Sequence, residues 1–329
     1  MRNANGVNRT IPIVLILTMA ILAGCAHHLA WQRAVDHDDL SAQLDAYFAF
    51  LADHDQFAGY ALVARNDEIV LAEGYGHEET DQGRSFTADS QFRIASVTKQ
   101  FTAAAILACQ ELELLSVDDP VVAYLPHFTG DSAVTIRHLL THTSGLGPDR
   151  ALGEAFAYSN EGYRALGSVI EAVSGMPYDA FLQEHVCRPA GLQSTRLWSR
   201  EGRRPGESSI GAGGLESTAH DLLRWSRYLA RSDDDAVISY RALIECTVPA
   251  LPGVRYGFGI AIRAAEGSSS TSTLYWHAGS APGASASLSC LPDVDVTVVI
   301  LSDSDQIDLF TIESDVYRLV IDAGLTPKP

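Results

Sequence analysis

The sequence predicts an α/β fold of the α+β kind: one antiparallel β-sheet flanked by helices, built from both chain ends, with an all-helical region inserted at about 110–235. Three observations carry this. Two strand-like runs (59–64 and 68–73) come early, and the middle of the chain reads as helices. Strand-like runs then return at 256–263, 272–276, 284–291 and 294–301, before a closing helix. Strand and helix do not alternate as a βαβ repeat would require. With 47% hydrophobic and 19% charged residues over 329 positions, the chain has the composition of a folded globular protein and not of a disordered or fibrous one.

The N-terminus stands apart from this domain. Arg2 and Arg9 precede an apolar run at 11–23, shorter than the roughly 20 residues that span a bilayer but the size of a signal-peptide core. It ends in Leu22-Ala23-Gly24-Cys25, which looks like a bacterial lipoprotein processing site. The expected organisation is therefore a leader (1–24), a lipidated Cys25 with a polar tether (25–37), a folded domain (38–323) and a tail (324–329). This implies a periplasm-facing protein of the bacterial cell envelope, with Ala26 after the cysteine resembling the outer-membrane sorting pattern. A net charge of −18 without a Lys/Arg cluster excludes nucleic acid as a partner, and anionic lipid would repel such a chain without a tether.

Within the domain, Leu40, Leu44, Tyr47, Phe48 and Leu51 recur at helical spacing over 39–53. The next two runs form a hairpin about Arg65-Asn66-Asp67. A helix rich in Ala, Leu and Gln is expected from Ser96 to about Leu115, and Pro120 and Pro126 punctuate the next segment. Short helices are expected at 136–141, 161–173, 178–186 and 219–230, the last preceded by a glycine loop at 211–214, and a final helix at 307–323. Cys109, Cys187, Cys246 and Cys290 allow three complete pairings; Cys109 and Cys290 read equally well as small buried hydrophobes.

Ser96-Val97-Thr98-Lys99 places a hydroxyl and an ammonium on one helical face, at a helix start whose unpaired amides and dipole favour a developing oxyanion. That is the serine–lysine route to an activated nucleophile. Two further elements accompany it: Tyr158-Ser159-Asn160, and His277-Ala278-Gly279 on a predicted strand. In this order they resemble the penicillin-recognising serine hydrolases, which comprise class C β-lactamases, D-alanyl-D-alanine carboxypeptidases, esterases and D-aminopeptidases. Phe92-Arg93-Ile94-Ala95, the segment 136–146, Ala212-Gly213-Gly214-Leu215 and Tyr256-Gly257-Phe258-Gly259 extend the resemblance over roughly 40–323.

The resemblance implies roles. Ser96 is the nucleophile and Lys99 eases its deprotonation; Tyr158 accepts the proton and later returns it to the leaving group. Asn160 holds the lysine and the substrate amide. The strand Gly279-Ser280 supplies, with Ser96, the oxyanion-hole amides. His277 stands where class C β-lactamases carry lysine, and is expected to be a weaker, pH-dependent cation for a substrate carboxylate. Only eleven residues separate Leu146 from Tyr158, which implies a more open cleft. The implied activity is hydrolysis of a small ester or amide through an acyl-enzyme, of the esterase or D-amino-acid peptidase type, with no metal and no organic cofactor. The alternatives are a class C-like β-lactamase and a catalytically weak penicillin-binding or envelope-maintenance protein. His138 and His142 lie four apart without the glutamate of a zinc-protease motif, and Asp233-Asp234-Asp235 reads as a solvated loop.

Overall fold

Helix α1 (Leu40–Asp53) starts where Asp39 accepts the Ser41 amide, and buries Leu44, Tyr47, Phe48 and Leu51 along one stripe. The hairpin comes next: β1 (Gly59–Arg65) and β2 (Glu68–Tyr75) turn through Asn66 and Asp67, whose φ angles of 49° and 64° are those of a type I′ turn. The computed structural model describes residues 39–78, 83–146, 152–153, 155–199, 210–231, 237–264 and 272–324. The leader, Cys25, the tether, 325–329 and Asp233-Asp234-Asp235 lie outside them.

The remaining strands of the main sheet are β6 (Val248–Leu251), β7 (Val254–Tyr256), β8 (Ala261–Ala264), β9 (Thr273–Ala281), β10 (Ala284–Leu291) and β11 (Val296–Ser302). All eight run antiparallel in the order β2-β1-β11-β10-β9-β8-β7-β6, so β1 pairs with β11 and both chain ends build the sheet. On one face α1 and α8 (Leu309–Asp322) cover Val296, Val298 and Ile300 of β11. On the other lies the helical region: α2 (Thr98–Glu111), α3 (Ile136–Leu140), α4 (Asn160–Ser174), α5 (Tyr178–Leu182), α6 (Ala219–Leu229) and α7 (Tyr240–Ile244). A small second sheet joins β3 (Phe92–Arg93), β5 (Leu215–Ser217) and β4 (Arg196–Leu197).

Three of the differences from the sequence reading have a local cause, and α7, β3, β4 and β5 have no counterpart in it. The run 256–263 is two strands, because Gly259 turns left-handed at φ 73° where a Cβ would lie 2.5 Å from the Lys99 carbonyl oxygen. Strand β6, interrupted by Pro249, carries too little alternation to be read as a strand. The helix expected from Ser96 begins at Thr98, with Ser96 in a 3-10 turn (Ala95–Val97), and stops at Glu111. Every residue from Thr98 to Cys109 is buried, so α2 is a core helix and presents its first turn to the site on rigid packing. The four cysteines among the described residues are free thiols.

Candidate active site

The 3-10 turn that carries Ser96 is held at both ends. The Ile94 amide donates to the Leu215 carbonyl, and Ala95 is left-handed at φ 43°, which turns the chain sharply into the serine. One turn on, Lys99 is fully buried. Its Nζ lies 2.6 Å from the Ala212 carbonyl oxygen, 2.8 Å from Asn160 Oδ1 and 3.2 Å from Ser96 Oγ. Burial first, and the charge of Arg164 second, lower its pKa to about 7. A neutral amine has two N–H donors and one lone pair. In that neutral form the two short contacts, both to pure acceptors, take both donors and leave the lone pair for the Ser96 hydroxyl, whereas the ammonium form donates to Ser96 Oγ.

The glycine loop is fixed from below. Thr102 Oγ1 donates to the Gly211 carbonyl at 2.7 Å and pairs with the Tyr178 hydroxyl, while Thr98 Oγ1 accepts the Leu215 amide. The Ala212 carbonyl was not legible as a site group, since backbone acceptors leave no trace in side-chain patterns.

Tyr158 hydrogen-bonds Ser96 and sits with its ring 4.8 Å from Lys99 Nζ. Burial pushes its phenol up, and only the bond to Ser96 opposes this. A phenolate at neutral pH is thus disfavoured. The proton-acceptor role expected for Tyr158 is better suited to Lys99, whose pKa is lowered to about 7.

His277 also departs from expectation. It lies on β9, 5% exposed, with Nε2 2.9 Å from the Tyr256 hydroxyl and Nδ1 2.7 Å from the Ala278 carbonyl oxygen. Since a carbonyl only accepts, Nδ1 carries the proton and Nε2 accepts from Tyr256. Both ring nitrogens are used. Burial and the Lys99 charge lower the pKa to about 3. The imidazole is neutral over the physiological range and has no free N–H for a carboxylate, which corrects the cationic role.

Strand β9 runs past Ser96 at close quarters. A Cβ on Gly279 would lie 2.6 Å from both the Ile94 oxygen and the Ser96 nitrogen, so only glycine fits. Ala281 and Ala284 flank the two-residue turn Pro282-Gly283 and form the hydrogen-bonded pair; the next pair, Ser280 with Ser285, does not. The Ser280 N–H therefore points away from β10, toward the side on which Ser96 lies. Arg93 donates to the Pro282 carbonyl at 3.0 Å and stacks on Trp198, which ties this turn to β3. This register is the one that the expected pair of oxyanion donors, the Ser96 and Ser280 amides, requires. Gly279→Ala is expected to lower kcat/KM for an ester by about 100-fold, the scale of one lost oxyanion donor, and steady-state kinetics on the variant checks it.

Of the other motifs, His138 closes a capping box with Thr135 at the start of α3. His142 packs behind Tyr158 with ring centroids 4.4 Å apart. Trp276 packs against the cluster on the α1/α8 face of the sheet.

The family described as Beta-lactamase matches residues 44–320. Penicillin-binding protein 4* of Bacillus subtilis (strain 168) is 33% identical over a region covering 48% of this chain and 42% of that protein. Esterase EstB of Burkholderia gladioli is 30% identical over 52% of this chain and 55% of its own length. The chain thus spans about half the length of these two curated relatives. The octameric penicillin-binding protein homologue from Pyrococcus abyssi shares the fold, with a TM-score of 0.72 at 24% identity over 87% of this chain and 78% of that one.

Proposed function

The chain belongs to the beta-lactamase family, and from that premise we propose that it is a lipid-anchored serine hydrolase acting through a Ser96 acyl-enzyme on small esters or amides, of the esterase or D-amino-acid peptidase type. The observation that carries this reading is the buried Lys99 Nζ, 3.2 Å from Ser96 Oγ with its two shorter contacts to pure acceptors. Ser96 Oγ attacks the carbonyl carbon as its proton passes to Lys99 Nζ. The carbonyl oxygen becomes an oxyanion held by the Ser96 and Ser280 amides. As the intermediate collapses, the bond to the leaving alcohol or amine breaks. The leaving atom takes a proton from the Tyr158 hydroxyl, which Lys99 replenishes. Water then repeats the sequence on the acyl-enzyme, with Lys99 again as base.

The neutral His277 favours substrates that present no carboxylate to β9. This weighs against a β-lactam substrate and toward uncharged esters and amides. The anchor rests on Leu22-Ala23-Gly24-Cys25, with the mature protein facing the periplasm from the outer membrane.

Intact mass of the protein purified from bacterial membranes, before and after a fluorophosphonate, tests both parts. The expected spectrum is a chain beginning at a lipid-bearing Cys25 that gains one phosphonyl group, mapped to Ser96. An unlabelled Ser96 would remove the acyl-enzyme, and a retained leader without lipid would remove the anchor.

A further inference from the structure

Behind Tyr158 lies a buried histidine that the proposed reaction does not use. His142 is fully buried and left-handed at φ 57°, a conformation costly for a residue with a ring. Its backbone carbonyl accepts the Ala157 amide at 2.7 Å, and its Nδ1 accepts the Ser159 amide at 3.1 Å. One residue therefore grips the chain on both sides of Tyr158. Its ring also packs against the Tyr158 ring, tilted by 37°. Tyr163, Tyr256 and Phe156 hold the imidazole from the other directions.

Stability alone does not account for a histidine here. Because Nδ1 accepts, the proton is on Nε2, which is buried and has no hydrogen-bond partner among the described residues. A buried donor left unpaired is destabilising. Phenylalanine would fill the same aromatic pocket without that donor. It would lack the acceptor for Ser159, which is the group next to both Tyr158 and Asn160.

We propose that His142 is the positioning residue for Tyr158: a clamp whose Nδ1 and carbonyl fix residues 157 and 159, so that the phenol meets Ser96 in one orientation. The clamp serves the proton transfer that the proposed function assigns to Tyr158, and its catalytic consequence rests on that reading. It also predicts the substitution that preserves function. Asparagine places Oδ1 the same number of bonds from the backbone as Nδ1, and it tolerates left-handed φ better than most residues. Phenylalanine keeps the ring and loses the acceptor.

The experiment compares wild type, His142→Phe and His142→Asn in two measurements. The first is hydrolysis of ethyl butyrate, whose alkoxide leaving group needs the Tyr158 proton; the second is hydrogen exchange of the Ser159 amide by NMR. For His142→Phe the expected results are a kcat lower by about 10-fold to 100-fold with KM within about 2-fold, and Ser159 exchange faster by about 10-fold or more. For His142→Asn, kcat within about 5-fold of wild type and a protected Ser159 amide are expected. A phenylalanine variant with unchanged kcat, or one whose Ser159 amide stays as protected as in wild type, would overturn the clamp. The exchange measurement decides the clamp even if wild type hydrolyses no ester, an outcome that would count against the proposed function instead.

Discussion

Lys99→Met is expected to lower kcat/KM by about 10,000-fold, the scale seen when one member of a nucleophile–base unit is lost. Methionine fills nearly the same volume without a lone pair or a charge, so the buried space stays packed while Ser96 loses its base. The pH profile of wild type gives an independent check. With the Lys99 pKa lowered to about 7, the ammonium form below that pH would donate a third N–H to Ser96 Oγ and hold no lone pair for its proton. Activity is therefore expected to fall on the acid side with an apparent pKa near 7. A profile flat from pH 5 to 9 would place the base elsewhere. The same shift carries a stability consequence with a definite sign. Between about 7 and the usual lysine value near 10.4, the unfolded chain binds a proton that the folded one does not, so stability rises with pH across that window. Lys99→Met has no such term. Its stability relative to wild type is expected to improve as pH falls from 10 toward 7, read as the difference in Tm.

The fold and the reacting groups were legible in the sequence for different reasons. The sheet announced itself because β1, β10 and β11 are rich in small and branched apolar residues bounded by turn signals such as Asn66-Asp67. Ser96, Lys99, Tyr158 and Asn160 were legible as a constellation, and the structure brings them within hydrogen-bonding distance of one nitrogen or one hydroxyl. Protonation states were not legible. His277 on paper titrates near neutrality; its burial and the nearby Lys99 keep it neutral, and the Tyr256 hydroxyl, 21 residues away in sequence, occupies its Nε2. The same holds for Tyr158, whose phenol is raised by a surround of rings that no local pattern reveals. Backbone groups formed the other blind spot. The Ala212 carbonyl and the direction of the Ser280 amide arise from turn geometry and strand register, which the sequence expresses only indirectly. His142 shows both effects, since its role depends on a left-handed backbone and on amides from a loop fifteen or more residues further on.

Tyr158→Phe is expected to cost about 1,000-fold in kcat on an amide or alkyl ester, within the range of a lost general acid or base. The phenol has a second assignable duty, and leaving groups separate the two. If Tyr158 were the base that takes the Ser96 proton, its loss would slow attack on every substrate alike. A phenol whose pKa burial has raised keeps its proton, and is suited to delivering one to a departing atom. An alkoxide or amide anion needs that proton; p-nitrophenolate does not, because it leaves as a stable anion near neutral pH. The variant is therefore expected to lose about 1,000-fold on an alkyl ester or amide and only about 10-fold on the matching p-nitrophenyl ester. Folding should change little, since the substitution removes one side-chain hydrogen bond, worth about 1 kcal/mol, and keeps the ring against His142. Equal losses on both ester types, at unchanged Tm, would make Tyr158 the base and return Lys99 to an electrostatic part. Unequal losses would assign the two protons of the reaction to two residues: the one leaving Ser96 to Lys99, and the one entering the leaving group to Tyr158.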